Sequence, residues 1–125
     1  MLKKQSLLIS LLYSVALAVI SFIKINEIEE YVPSFSDKIV HFFLYCFLTL
    51  VWYNTFINKI KCNHTVSFIW AAIIAMAFGI IIEVLQGRLT NTRVSDLNDV
   101  LANLIGIILA VSLLIIKNKL DVKNL

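Results

Sequence analysis

Residues 66–85 read VSFIWAAIIAMAFGIIIEVL, twenty residues with one ionisable side chain, Glu83. A helix rises about 1.5 Å per residue, so this stretch reaches about 30 Å, the thickness of a bilayer's hydrocarbon core. Ala71, Ala75 and Gly79 recur at every fourth position, and Glu83 continues the spacing. Positions four apart share one helix face. Small side chains let helices approach closely in lipid, so the stripe is expected to face protein and to carry Glu83 inward with it.

Three further apolar runs flank this one. The chain reads as four transmembrane helices, at approximately 7–24, 37–57, 66–86 and 96–116, in a single domain over residues 1–125. No run alternates with the period of two that an outer-membrane barrel needs, and helices satisfy the backbone in lipid. The composition agrees: 60% of residues are hydrophobic and 15% charged, against about 25% charged in soluble domains. Mean hydropathy is +0.90. A soluble core of 125 residues could not bury so much apolar surface, whereas lipid can cover it. Lys3, Lys4 and the segment Ala16-Leu17-Ala18 have the form of a cleavable signal peptide, but the apolar run continues through Ile23. The first run is therefore expected to remain as a span.

Orientation follows from the basic residues near the helix ends. With four alternating helices, Lys3, Lys4, Lys59, Lys61, Lys117, Lys119 and Lys123 share one side. Lys24, Lys38, Arg88 and Arg93 share the other, together with every acidic residue except Asp121. The expectation is an all-α, multi-pass protein of the cytoplasmic membrane with both N- and C-termini cytoplasmic. The net charge of +3 is then topological, and no nucleic-acid partner is implied. Two cysteines, Cys46 in a helix and Cys62 in a loop, make no disulfide framework.

The polar residues within the spans gather towards one end. Asp37, His41, Tyr45 and Thr49 recur every four residues behind Ser36, which reads as an N-cap. Gln86 lies near Glu83 at the end of the third run. Asp96, Asp99 and Asn103 share a face of the fourth, extended by a ladder of Ala102, Gly106 and Ala110. Ionisable groups at membrane depth usually face the bundle interior or a wet cavity. Asp37, Lys38, His41, Tyr45, Glu83, Gln86, Arg93, Asp96, Asp99 and Asn103 are therefore expected to form one outer-side pocket, with Arg93 as the partner of Glu83 or Asp99. The cytoplasmic ends of helices two to four show no equivalent cluster. Trp52, Tyr53, Phe56 and Trp70 fit an interfacial belt there, and Tyr13 reads as packing.

Three segments carry a family resemblance. Residues 37–45, DKIVHFFLY, resemble the DKxxHFxxY signature of VanZ-like membrane proteins. Residues 79–86, GIIIEVLQ, resemble their GxxxExxQ segment, and residues 93–106, RVSDLNDVLANLIG, their RxxDxxDxxxNxxG segment. The segments occur in the family's order, on the corresponding helices. Residues 88–92 depart from it, since many relatives carry a proline or an aromatic near this point. The resemblance implies a helical membrane protein. Founding members of the family are associated with low-level resistance to teicoplanin, a glycopeptide carrying a lipid tail.

Three functional readings stay open. The cluster could recognise an outer-leaflet amphiphile, such as a lipid-linked envelope molecule or a lipoglycopeptide, beside its ordinary membrane-lipid partners. It could be an intramembrane enzyme acting on a lipid-linked phosphate or envelope precursor, with His41 and a carboxylate as acid and base. Or it could serve only to lock helices together. No HExxH pair or second nearby histidine supports a metal site, Ser95 reads as an N-cap rather than a nucleophile, and no cofactor is implied. Oligomeric state is left open.

Overall fold

The computed structural model describes residues 2–27, 34–89 and 97–123, and within them the side chains of residues 5–21, 38–85 and 98–120. They form four helices: α1 (Leu2–Glu27), α2 (Ser34–Asn58), α3 (His64–Leu89) and α4 (Leu97–Lys123). Each has 25 to 27 residues, and so is about 38–40 Å long. Among the described side chains, three helices contain stretches long and apolar enough to cross a membrane: Lys38–Asn58, His64–Leu85 and Asn98–Leu120. In α1 the apolar stretch among the described side chains is Gln5–Ser21.

The helices outrun the apolar runs because caps and turns, rather than hydropathy, decide where they end. α2 begins at Ser34, which places Ser36 inside the helix rather than at its cap. α3 starts two residues before the expected position because Asn63 caps it. The Asn63 side-chain oxygen accepts the Val66 N–H at 2.8 Å, and its carbonyl accepts the Ser67 N–H at 3.0 Å and the Ser67 hydroxyl at 2.7 Å. Between α2 and α3 the carbonyls of Thr55 and Phe56 accept backbone N–H groups from Lys59, Ile60 and Cys62. Lys61 turns the chain in the left-handed region, at φ 67°.

Burial is inverted relative to a soluble protein. Among the described residues, twenty-six large hydrophobic side chains are exposed, more than twice the eleven buried hydrophobic residues, while ten polar or charged residues are buried. Water would penalise such a surface, and lipid would not. α1 shows the inversion clearly: Ser6, Ser10 and Ser21 face inward while Leu8, Leu12 and Val15 face out.

α2 is the hub. It packs most extensively on α4 and also against α1 and α3, whereas α1 meets α3 only slightly. α2 and α4 run parallel, since Lys38 meets Asp99 and, further along, Phe42 and Cys46 meet Gly106. α1 and α3 run antiparallel to α2, as the pairs Ser10–Thr55 and Tyr45–Gly79 require. One end of the bundle, here the upper end, therefore holds the starts of α2 and α4. The lower end holds the start of α1, the end of α4 and the α2–α3 turn. The stripe Ala71, Ala75, Gly79 and Glu83 is buried, as is the ladder Ala102, Gly106 and Ala110. At Gly106 the approach is closest, because an added Cβ would run into the Phe42 carbonyl.

Candidate functional site

The first turn of the α2 span lies beside the first turn of the α4 span, and this puts Lys38 over Asp99. The Lys38 ammonium donates to Asp99 Oδ1 at 2.6 Å. The Asp99 side chain is 2% exposed and that of Lys38 26%, so the pair spans from interior to surface. Its short, charge-assisted contact offsets the cost of burying the carboxylate. One turn along α2, His41 Nε2 stands 3.8 Å from Asp99 Oδ2, an electrostatic neighbour beyond hydrogen-bond length. Another turn on, the Tyr45 ring stacks at 6.4 Å from His41 and is fully buried.

α3 and α4 close the inner side. An added Cβ on Gly79 would meet the Asn103 amide and the Tyr45 ring, each at 3.0 Å. This glycine is the gap into which both side chains fit. Asn103 is buried, and its side-chain oxygen has no hydrogen-bond partner among the described residues. Such an atom costs roughly 1–3 kcal/mol unless something donates to it. Glu83 lies one turn above Gly79 on the same face, is buried, and its charge is within electrostatic reach of Tyr45. Lys38, His41, Tyr45, Glu83, Asp99 and Asn103 thus all lie in the upper half of the interior. Asp37 and Gln86 fall on α2 and α3 with side chains outside the described residues, and Arg93 and Asp96 lie outside them altogether. The cation found on Asp99 is Lys38, and the expected role of Arg93 falls on an undescribed segment. Among the described residues no three His, Cys, Asp or Glu side chains gather as metal ligands.

Below this cluster, an apolar cleft of about 620 Å³ opens between α3 and α4. Ile80 and Leu104 line its upper part and Ala72 and Ser112 its lower part, with Met76 and Ile108 between. Ile80 follows Gly79 and Leu104 follows Asn103, so the cleft begins at the level where the polar cluster ends.

The sequence reading missed two polar assemblies towards the lower end. Along α1 and α2, the Ser10 and Thr55 hydroxyls lie 2.6 Å apart. One of the two donates to the other, and the hydroxyl that accepts turns its own proton to a backbone carbonyl, Thr55 to that of Ser6 or Ser10 to that of Val51, each at 2.9 Å. Trp52 donates to the Ser14 hydroxyl at 3.1 Å, and Tyr13 to the Leu44 carbonyl at 2.7 Å. The four-residue spacing of Ser6, Ser10 and Ser14 was the available signal. Trp52 and Phe56 are accordingly turned into the bundle rather than forming a belt, while Trp70 is half exposed. Tyr13 is a hydrogen-bond donor as well as a packing residue. The second assembly, around Tyr53, His64 and Lys117, corrects the expectation that the lower ends of α2, α3 and α4 carry no polar cluster.

Comparison with known proteins adds one finding. No curated protein and no solved structure matches the chain. The family model described as VanZ/LLP1 does match, over residues 3–118. That match takes in most of each of the four helices and every residue of the polar cluster, and the chain is a multi-pass helical membrane protein of the VanZ/LLP1 family.

Proposed function

We propose that the upper cluster and the α3–α4 cleft together bind an amphiphile of the outer leaflet, a lipid-linked envelope precursor or a lipoglycopeptide such as teicoplanin. The observation that carries this reading is their common level: the apolar cleft starts at Ile80 and Leu104, the residues next in sequence to Gly79 and Asn103 at the foot of the polar cluster. A head group would meet Lys38, His41 and Glu83, and its acyl chain would lie along Ile80, Met76 and Ile108. Cleft volumes of about 300–1,000 Å³ are usual for ligand sites. The placement of the upper end outside follows the asymmetry of basic residues.

The test separates recognition from a purely structural lock. Teicoplanin susceptibility is measured in cells expressing the protein, with vancomycin, which lacks the lipid tail, as control. Membrane abundance and detergent melting are followed in parallel. Arg93→Gln, His41→Gln and Glu83→Gln should reduce ligand binding or tolerance while folded protein persists. Ala77→Phe, which fills the cleft without touching the polar cluster, should do the same. Loss that tracks unfolding would assign the cluster to helix locking alone. The His41–Asp99 proximity is what an acid–base enzyme would use. Product formation from lipid extracts by the purified protein would favour that reading.

A further inference from the structure

The lower end holds a second pocket, of about 170 Å³, between the ends of α2 and α4 and the start of α3. Tyr53, Asn54, Asn58, His64, Lys117 and Asn118 supply its polar lining. Its walls are held by contacts that fix donor positions. The Tyr53 hydroxyl and His64 Nδ1 are 2.6 Å apart. With the hydroxyl donating to Nδ1, the imidazole carries its proton on Nε2 and has an N–H to offer. Phe68 stacks on Tyr53 at 5.0 Å and 9°, and packs on His64 at 6.4 Å, so neither ring turns freely. Asn58 donates its amide to the Asn54 side-chain oxygen at 2.6 Å and backbone carbonyl at 3.1 Å. That leaves the Asn54 NH₂ group as a donor.

The charge at this end is mostly basic, with Asp121 the one acid the sequence places there. Lys117 lines the pocket, and Lys59, Lys61 and Lys119 lie at the same end. The two described carboxylates, Glu83 and Asp99, are both at the opposite end. A pocket of fixed N–H donors and a lysine, with no described carboxylate in its lining, is complementary to an oxyanion. Its depth selects which one. The lining residues occupy the last turns of Lys38–Asn58 and Asn98–Leu120 and the first turn of His64–Leu85, the level at which lipid head groups lie. Basic pockets between membrane helices commonly hold phospholipid head groups.

We propose that this pocket binds the phosphate group of an anionic phospholipid in the leaflet facing the chain termini, as a site separate from the upper cluster. It does not depend on the function proposed for that cluster. The test titrates the purified full chain with phosphatidylglycerol or phosphatidylcholine in detergent and counts bound lipid by native mass spectrometry. Phosphatidylglycerol should bind preferentially. Lys117→Gln should weaken it by about fivefold, the contribution typical of one basic side chain at a membrane surface, and His64→Gln, which removes the Nε2–H donor, should weaken it as well. Lys119→Gln, whose side chain lies outside the lining, should bind like the parent, and circular dichroism should show all variants folded. Unchanged binding in folded Lys117→Gln and His64→Gln would overturn the proposal. So would displacement of the lipid by sub-millimolar inorganic phosphate, which would assign the pocket to a soluble phosphate ester.

Discussion

The carbonyl oxygen of Phe42 occupies the space a side chain on Gly106 would need. In an ordinary helix interior, Gly→Ala gains about 1 kcal/mol. Here the obstacle is the backbone of a neighbouring helix, which cannot rotate aside. Gly106→Ala should therefore destabilise the protein by about 1–3 kcal/mol, read as a lower melting temperature in detergent. A variant as stable as the parent would show that α2 and α4 stand further apart.

Lys38→Met removes the ammonium from an Asp99 side chain that is 2% exposed. Breaking a buried pair usually costs about 3–5 kcal/mol. A loss of about 2 kcal/mol is expected here, because Lys38 keeps part of its surface. Lys38→Met/Asp99→Leu should recover most of that loss, since neither half-pair remains. A double variant no better than the single one would mean the ion pair is not the main source of the coupling.

The α1–α2 seam is expected to behave as many weak bonds. Hydrogen bonds between membrane helices average about 0.6 kcal/mol. Ser10→Ala and Thr55→Val should each cost about that much, and their double-mutant cycle should show positive coupling, because the hydroxyls are 2.6 Å apart. Strict additivity would break the assignment of this bond.

Orientation can be read chemically. In a Cys46→Ser/Cys62→Ser background, single replacements Lys61→Cys, Lys119→Cys, Glu29→Cys and Thr90→Cys are treated with a membrane-impermeant thiol reagent in intact spheroplasts. Positions 29 and 90 should label and positions 61 and 119 should not. The reverse pattern would invert the bundle and move the proposed amphiphile site to the cytoplasmic leaflet.

Much of the architecture was legible because membrane helices announce themselves by length and hydropathy, and their inward faces by small residues four apart. Ala71, Ala75 and Gly79 turned Glu83 inward, and Ala102 and Ala110 did the same for Asn103 and Asp99. Helix ends were less legible. α4 was expected to stop near residue 116 but continues to Lys123, since lysines and asparagines prolong a helix past the hydrocarbon without prolonging its apolar signal. The contact of Lys38 with Asp99 was not legible either. Lys38 reaches it because α2 and α4 lie side by side and in parallel, and adjacency between non-consecutive helices is written in no single segment. The hydroxyl seam was overlooked because serine in a leucine-rich run hardly changes hydropathy, whereas its position against Thr55 decides everything about its bonding.

The parallel contact of α2 with α4 also imposes an order on biosynthesis. The segment bearing Lys38 and His41 is synthesised some sixty residues before Asp99, so the bundle's hub waits in the membrane through the making of α3. Until then the Lys38 ammonium has to stay at the interface, because contact of a charge with acyl chains is costly. A chain that stalls before its last helix would lack the Asp99 carboxylate that Lys38 meets in the finished bundle.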